Sequence, residues 1–314
     1  MPLEDGEDRP RWSVMIPVYN CSVYLEEVLT LVLAQDPGIS CMQVEVVDDA
    51  STDADVSALV QRVGKGRVSY FCQAGNVGSL RNFQTCLERS RGQLIHILHG
   101  DDRVREGFYE QMQKLFFTHP SLGAAFCRYA YIDEQGKTLF YQDPEMDHIG
   151  ILDNWLLRLA ERQRIQYVAM VVRRDVYERL GGFYGVEYGE DWEMWMRIAA
   201  HYDTGYTPEV LAEYRKHKSS ITGRSFVTGQ NMVSLAWVMK QIYPYLPAQH
   251  RKEVMRSSKS FYAHHAICIA TSLWKQDRNK HGASAQAQAA WSMRKDVGLL
   301  LKIIKLYTRI KLNL

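Results

Sequence analysis

Two adjacent carboxylates, Asp101 and Asp102, follow a short apolar segment and are well placed to do chemistry. The segment 93–97 predicts a buried strand, and His99 and Gly100 lie in the turn that follows it. Carboxylates at the end of a buried strand are costly unless they are paired or hold a cation. Their oxygens suit Mg²⁺ or Mn²⁺, with a phosphate behind the ion. The alternative is a polar turn in which one of the two acids caps the next helix.

The elements that must position these acids alternate between strands and helices. The spacing of apolar residues predicts strands at 12–20, 43–47, 68–72 and 93–98, and helices at 23–34, 56–63 and 79–90. This alternation, with short connections, predicts an α/β fold with a Rossmann-like, mostly parallel sheet flanked by helices. We expect Asn20 or Ser22 to cap the first helix and Ser51 or Asp53 to cap the second.

Three loops follow strands in this part of the chain, at 17–20, 48–53 and 99–102. The carboxyl ends of parallel strands meet at one edge of a sheet, and ligands bind there. None of the three loops has the glycine-rich pattern that cradles phosphates. A metal ion held by carboxylates is the natural substitute at this edge.

Composition narrows the class of protein. The chain has 314 residues, and its hydrophobic content of 46% and charged content of 24% are those of a globular protein. A net charge of +2 gives no reason to expect nucleic acid as a partner. The six cysteines are scattered without metal-site spacing, which is typical of reduced packing residues. Without a signal-peptide core or a membrane-length apolar run, a cytoplasmic location is expected.

A series of motifs, in order along the chain, carries a resemblance to a known family. The segments SVMIPVYN, VVDDASTD, NVGSLRNF and LHGDD resemble the nucleotide-sugar-binding half of a family 2 glycosyltransferase with the GT-A fold. Downstream, Gly181-Gly182-Phe183 and then Glu190-Asp191 resemble the family's turn and its acidic pair at the start of a helix. Residues 214–217 are similar to the closing Tyr-Arg-x-His element. The resemblance covers about residues 12–220.

The resemblance implies an inverting, metal-dependent hexosyl- or N-acetylhexosaminyltransferase. The donor is expected to be a nucleotide-sugar, with UDP as the carrier, and the acceptor a hydroxyl of a saccharide or lipid-linked saccharide. Bacterial surface polysaccharide or lipopolysaccharide synthesis is the expected setting. The implied boundaries are a flexible tail at 1–10, a catalytic domain at 11–225 and a helical region at 226–314. Within the catalytic domain, 11–105 is the nucleotide-sugar half and 106–225 the acceptor half.

The resemblance also assigns a nucleotide-binding set. Tyr19 can lie against the base, Asp48 and Asp49 can accept from base and ribose, and Arg81 can reach a base carbonyl or a phosphate. Ordinary packing of Tyr19 at a strand end and a plain surface position for Arg81 remain the alternatives. The nucleotide-binding residues expected are Pro17, Tyr19, Asn20, Asp48, Asp49, Asn76, Arg81 and Gly100.

For the metal, the resemblance matches Asp101 to the second acid of the family's D-x-D motif. The first acid is replaced here by His99, whose neutral imidazole can still bind Mn²⁺ or accept from a ribose hydroxyl. Because it supplies less negative charge, either a weaker metal affinity or a preference for Mn²⁺ over Mg²⁺ is expected. Asp102 ligates through water or braces the turn, and His217 can complete the metal shell. Nearby, Arg215, Lys216 and Lys218 offer charge to phosphate oxygens, with a solvated basic loop as the alternative.

The second acidic pair needs a separate role. The resemblance implies that Asp191 is the general base that deprotonates the acceptor hydroxyl, with Glu190 beside it. The alternative is that both are favourable acids in the first turn of a helix. Trp192 and Gly182 are assigned to the acceptor site, although an aromatic residue on a helix is more often part of the core.

Helical patterns continue to the end of the chain, at 226–243, 248–275 and 286–314. The polar stretch at 276–285 is expected to be a linker or a frayed turn. In the last helix, Lys295, Lys302, Lys305 and Arg309 share one arc among apolar residues. A basic amphipathic helix can lie on an anionic membrane, giving peripheral contact with its inner face. Docking on the body of the protein or on another subunit of a homo-oligomer is the alternative.

Two rival functions stay open at this point. A nucleotidyltransferase on a similar sheet would carry a glycine-rich basic loop after the first strand, where this chain has Pro-Val-Tyr-Asn. A degenerate GT-A protein would bind nucleotide or act as a scaffold without turnover, and His99 in the metal motif favours it. The intact Glu190-Asp191 pair argues for the enzyme.

Overall fold

A computed structural model describes residues 9–217 and 220–314. The chain divides into two compact units. The sheet unit contains the chain up to Asp153 together with Ile165–Tyr184 and His201–Lys216. The helical unit contains Asn154–Arg164, Gly185–Ala200 and His217–Leu314.

All the described strands belong to the sheet unit and form one sheet. They are β1 (Trp12–Val18), β2 (Met42–Asp48), β3 (Ser69–Cys72), β4 (Leu94–Ile97), β5 (Arg103–Val104), β6 (Leu122–Ile132), β7 (Thr138–Tyr141), β8 (Gly150–Ile151), β9 (Met170–Arg173) and β10 (Asp203–Arg215). The main order is β3-β2-β1-β4-β9-β6-β10-β5, with β7 beside β6 and β8 beside β10.

The predicted α/β fold is confirmed, with the parallel strands concentrated in the first part of the chain. β1 pairs in parallel with β2 and β4, and β2 in parallel with β3. Further on, β9 runs antiparallel between β4 and β6, while β6 and β10 are parallel. Every residue of β1, β2 and β4 is buried, as expected for central strands covered on both faces.

The first three helices of the sheet unit begin and end close to the predicted positions, and two further helices follow them. They are α1 (Ser22–Leu33), α2 (Val56–Gly64), α3 (Ser79–Arg89), α4 (Phe108–Thr118) and α6 (Arg174–Leu180). The predicted caps are wrong. Cys21 precedes α1 without a side-chain cap, and the α2 cap is Asp55, whose Oδ1 accepts from Ala58 N at 2.9 Å. Asp53 instead accepts from Ser22 N and Oγ, so it joins two loops.

The helical unit contains α5 and α7 and then an uninterrupted series of helices, so the predicted helical C-terminal region is present. Its helices are α5 (Trp155–Glu161), α7 (Glu190–Ala199), α8 (Ile221–Thr228), α9 (Gln230–Ile242), α10 (Arg251–Asp277), α11 (Lys280–Met293) and α12 (Val297–Leu312). No helix in the described ranges is long and apolar enough to cross a bilayer.

Two predictions for the end of the chain are wrong. The expected linker at 276–285 is mostly the first part of α11, because Asn279 caps that helix by accepting from Gly282 N at 2.8 Å. The expected single helix at 286–314 is broken before Val297, where Asp296 accepts from Leu299 N at 2.9 Å and starts α12. Lys295 therefore lies before α12 and not on its basic arc.

Candidate active site

The turn after β4 brings His99, Asp101 and Asp102 together. One ligand atom from each of these side chains lies within 4.8 Å of the others. The backbone reaches this position by extending the parallel pairing with β1, since Leu98 N donates to Met15 O and Gly100 N to Pro17 O. A Cβ on Gly100 would lie 2.9 Å from Cys21 Sγ and from Val18 Cγ2, so the close approach of the turn to β1 requires glycine.

Two polar atoms of this cluster make no hydrogen bond to the described residues. His99 Nε2 and Asp102 Oδ2 are buried, and neither has a hydrogen-bond partner within the described residues. Buried polar atoms without partners are rare, and the two in this cluster belong to side chains that can ligate a metal. An imidazole nitrogen and two carboxylates are ligands that suit Mn²⁺, and the carboxylate oxygens also suit Mg²⁺. The residues present therefore fit a divalent cation.

The imidazole of His99 is held by two aromatic rings. It stacks on Phe83 with ring centroids 5.2 Å apart and lies 4.6 Å from the Tyr167 ring. Burial lowers the pKa of His99, and the carboxylate of Asp101 offsets only part of that effect. The ring is therefore kept neutral, which is the form that can ligate a metal.

Burial raises the pKa of Asp102 well above its usual range, and the neighbouring Asp101 carboxylate raises it further. Arg215 opposes both effects. Its backbone N–H donates to Asp102 Oδ1 at 2.8 Å, and its Nε donates to Asp101 O at 2.7 Å. The guanidinium also pairs with Glu27 at 2.7 Å and lies over the Tyr24 ring. Arg215 thus fixes both acids from β10, 113 residues further along the chain.

The expected role of Arg215 as a phosphate ligand is wrong. Its side chain is only 2% exposed and its donors are used by the protein, so it cannot turn toward a diphosphate. Lys216 is exposed, with its Nζ over the Tyr131 and Phe140 rings. The expectation for Lys218 lies outside the described residues. His217 belongs to the helical unit, where its carbonyl accepts from Ser220 Oγ at 2.8 Å. Its assignment to the metal shell stays a prediction.

The loops after β1 and β2 are joined by a network of side-chain hydrogen bonds. Asn20 has a left-handed backbone (φ 51°), and its Oδ1 accepts from Thr52 N at 2.7 Å. Asp48 Oδ1 accepts from Ser51 N and Oγ, while Asp48 Oδ2 accepts from Tyr70 OH. Asp48 therefore shapes its own loop, and only its remaining lone pairs are left to accept further hydrogen bonds.

Asp49 organises the next loop along the edge. Its Oδ1 accepts from Val77 N at 2.7 Å, and its Oδ2 from Gly78 N at 3.0 Å and Asn76 Nδ2 at 3.1 Å. Burial raises the pKa of Asp49, and the two backbone N–H groups oppose the rise. The structure therefore brings together the predicted nucleotide residues Pro17, Asn20, Asp48, Asp49, Asn76 and Gly100.

Tyr19 and Arg81 are the exposed members of the predicted nucleotide set. The Tyr19 side chain is 44% exposed beside the buried end of β1. Arg81 lies in the first turn of α3, and its guanidinium makes no ion pair or side-chain hydrogen bond to any residue the structure describes. Both side chains are therefore available to a ligand, as the sequence hypothesis requires.

In the helical unit, Asp191 lies in the first turn of α7 with both carboxylate oxygens bonded. Oδ1 accepts from Trp192 N at 2.7 Å, and Oδ2 accepts from Gln163 Nε2. Burial raises the pKa of Asp191 to about 6, while the Gln163 and backbone donors pull it down. A carboxylate with this pKa is ionised at neutral pH and is still basic enough to take a proton. Glu190 is the first residue of α7 and is also buried.

Gln163 is a site residue that sequence reasoning missed. Its Oε1 accepts from Arg164 N at 2.9 Å, which directs its Nε2 group toward Asp191. The backbone N–H of Gln163 donates to Tyr262 OH at 2.9 Å. No local pattern marks this residue, because the contact joins a loop, the start of α7 and the middle of α10.

The two residues assigned to the acceptor site are packed against protein. The Trp192 indole has no exposed surface, its Nε1 donates to Leu159 O at 2.8 Å, and its ring packs on Tyr262. This is the core position that the sequence left as the alternative, and in this conformation it presents no surface to a sugar. In the sheet unit, a Cβ on Gly182 would lie 2.7 Å from Gln84 Oε1, so Gly182 permits close packing on α3.

Three comparisons place the chain among known proteins. The putative teichuronic acid biosynthesis glycosyltransferase TuaG of Bacillus subtilis is 24% identical over 69% of this chain and 84% of its own length. The structure of Staphylococcus aureus TarS 1–349 in complex with UDP-GlcNAc matches with a TM-score of 0.66 at 16% identity, over 96% of this chain and 90% of that one. A mannosyltransferase from Pyrobaculum calidifontis in complex with GDP-Man and Mn²⁺ matches with a TM-score of 0.55 at 21% identity, over 91% and 87%.

The structural matches show that the fold is that of GT-A glycosyltransferases, as the sequence predicted. The model of the glycosyl transferase family 2 matches residues 13–181, which is more than half of the chain and includes the turn after β4. The chain belongs to the glycosyl transferase family 2.

Proposed function

We propose that this protein transfers a sugar from a UDP-linked donor to a hydroxyl of a saccharide or lipid-linked saccharide, with inversion at the anomeric carbon. The observation that carries the proposal is the cluster of His99, Asp101 and Asp102, in which two buried atoms have no hydrogen-bond partner among the residues that the structure describes. The UDP-GlcNAc complex of TarS supports the class of donor. The relationship to TuaG supports a place in bacterial polysaccharide synthesis.

His99, Asp101 and Asp102 would hold Mn²⁺ or Mg²⁺, with His217 as a further candidate ligand. The bound ion would supply positive charge to the diphosphate of the donor. The loops around Asp48, Asp49 and Asn76 would receive the nucleoside, Tyr19 would lie against the base, and Arg81 would pair with a base carbonyl or a phosphate.

Asp191 would act as the general base, with Glu190 beside it in the first turn of α7. The acceptor oxygen attacks the anomeric carbon, the bond from that carbon to the diphosphate oxygen breaks, and the acceptor proton moves to Asp191. UDP leaves with the electron pair of the broken bond. Since the sugar is displaced in one step from the face opposite the leaving group, the product has the inverted configuration.

The test measures release of UDP from UDP-GlcNAc and other UDP-sugars with Mn²⁺, with Mg²⁺ and with a chelator. We expect metal-dependent release that Asp101→Asn lowers at least about 100-fold, since a charged metal ligand is lost. The matched control, Asp153→Asn, changes an exposed acid of the same unit and should retain activity. Tight UDP binding without turnover of any nucleotide-sugar would instead favour the scaffold function.

A further inference from the structure

The terminal helix α12 is firmly docked on the helical unit by one face. Leu299, Leu306 and Ile310 are its buried residues. Its two ends are also tied down, since Asp296 caps the start and Trp274 Nε1 of α10 donates to Leu314 O at 2.7 Å. The orientation of its other face is therefore set by this packing.

The face of α12 opposite these buried residues is apolar. At 100° per residue, Val297, Leu301, Ile304 and Leu312 point away from the buried side. Their side chains are 74%, 62%, 52% and 60% exposed, respectively. A helix face that contacts only water carries polar residues. This apolar face is therefore expected to contact another molecule.

Cations flank the apolar face. Lys302, Lys305 and Arg309 line a groove between α12 and α10, and Lys311 lies in the last turn. A second groove on α10 is lined by Lys252, Arg256, Lys259 and Arg294. Residues 297–314 contain no acidic residue.

The C-terminal helices are also the most basic part of the chain. Residues 251–314 carry thirteen Lys and Arg against three Asp and Glu, a net charge of +10, whereas the chain as a whole has +2. The first 250 residues therefore have a net charge of −8. Such an asymmetry indicates an anionic partner for the C-terminal helices.

We propose that α12 binds the surface of an anionic phospholipid bilayer, with its apolar face in the headgroup region and its flanking cations on lipid phosphates. A helix of this kind lies in the plane of the membrane, which agrees with its not being apolar enough to span one. A second copy of this chain is the poorer occupant, because pairing two α12 faces would bring four cations of one helix against four of the other. The inference does not depend on the proposed reaction.

The test is sedimentation of the full-length protein with vesicles of equal parts phosphatidylcholine and phosphatidylglycerol, and with vesicles of phosphatidylcholine alone. We expect binding to the anionic vesicles that weakens as salt is added, since the headgroup attraction is screened. Lys305→Gln with Arg309→Gln should lower the partition constant by about fivefold for each charge removed. Leu301→Ser with Ile304→Ser should lower it by about tenfold or more.

The matched control removes exposed apolar residues from the sheet unit. Ile39 and Phe117 are 72% and 82% exposed, so Ile39→Ser with Phe117→Ser deletes similar apolar area and should leave vesicle binding unchanged. Circular dichroism of each variant checks that the helices remain folded. Equal binding to both vesicle types, no binding to either, or a concentration-dependent dimer that the α12 variants dissociate would each overturn the proposal. Sugar transfer is not part of the readout, so an inactive protein would still answer the question.

Discussion

Asp101–Asp102 in the sheet unit and Glu190–Asp191 in the helical unit are both adjacent acidic pairs, but their surroundings differ. The first pair follows a buried strand, and Asp102 Oδ2 lacks a partner among the described residues. In the second pair, Asp191 lies in the first turn of a helix and has an N–H donor on each oxygen. The first environment favours a bound cation, and the second favours a carboxylate that exchanges a proton.

The comparison shows why the residue type alone does not assign a role. Burial raises the pKa of both Asp102 and Asp191, yet different groups oppose the rise. At Asp102 the opposing group is Arg215, which also fixes the turn through Asp101 O. At Asp191 it is a neutral amide, Gln163, which leaves the carboxylate with a pKa of about 6. A base needs that value, whereas a metal ligand needs only to be ionised when the ion is bound.

The largest expected effect comes from removing the proton acceptor. Asp191→Asn keeps the size of the side chain and should lower kcat by about 1,000-fold, within the range for loss of a general base. Binding of UDP, measured by calorimetry, should stay unchanged. The control Glu187→Gln alters an exposed acid just before α7 and should retain full activity. Turnover by Asp191→Asn equal to that of the parent protein would remove Asp191 from the mechanism.

The same variant tests the environment of Asp191 through stability. Its folded-state pKa of about 6 lies above the value of about 3.9 expected in the unfolded chain. The protonated form is therefore favoured by folding, so this contribution is fully present below about pH 4 and is lost as the pH rises through 6. Asp191→Asn should accordingly raise Tm relative to the parent at pH 8 more than at pH 4. An equal change in Tm at pH 4 and pH 8 would mean that burial does not raise the pKa of Asp191.

A smaller effect is expected from making the first pair more acidic. His99→Asp adds a third carboxylate beside Asp101 and Asp102, so repulsion should lower Tm without metal while Mg²⁺ should restore it. The concentration of Mg²⁺ required for half-maximal stabilisation should fall by about tenfold relative to the parent. His148→Asp, at an exposed position, is the control and should not alter the response to Mg²⁺. A response to Mg²⁺ that does not change in His99→Asp would place the cation elsewhere.

The turn after β4 could be predicted because the residues that form it are consecutive in the sequence. An apolar run, a glycine and two acids follow one another, and the structure places their side chains together. The same reasoning worked for α1 to α3 and for the strands between them, whose apolar spacing is clear. Asp296 and Asn279 were not predicted as helix caps, although an Asp or Asn just before a helical pattern is a signal that can be read from sequence.

The partners of the two acidic pairs could not be predicted, because they come from distant parts of the chain. Arg215 meets Asp102 only after β10 has joined the sheet beside β5 and β6. The burial of Trp192 likewise depends on Leu159 of α5 and Tyr262 of α10. A helical pattern assigns Trp192 to one face of its helix, but it does not show whether that face contacts protein or ligand.

The smallest expected effect is a shift in pH dependence at Gln163. Its amide lowers the pKa of Asp191, so Gln163→Leu should raise that pKa and move the acid limb of kcat upward by about one pH unit, with the plateau at high pH retained. Activity would then fall by about tenfold near pH 5 and hardly at all at pH 8. The neighbouring Gln166, which donates to Tyr131 OH, provides the control, and Gln166→Leu should leave the limb in place. A uniform loss of kcat at every pH would show that Gln163 positions Asp191 without setting its pKa, and an unchanged profile would show that the acid limb belongs to another group.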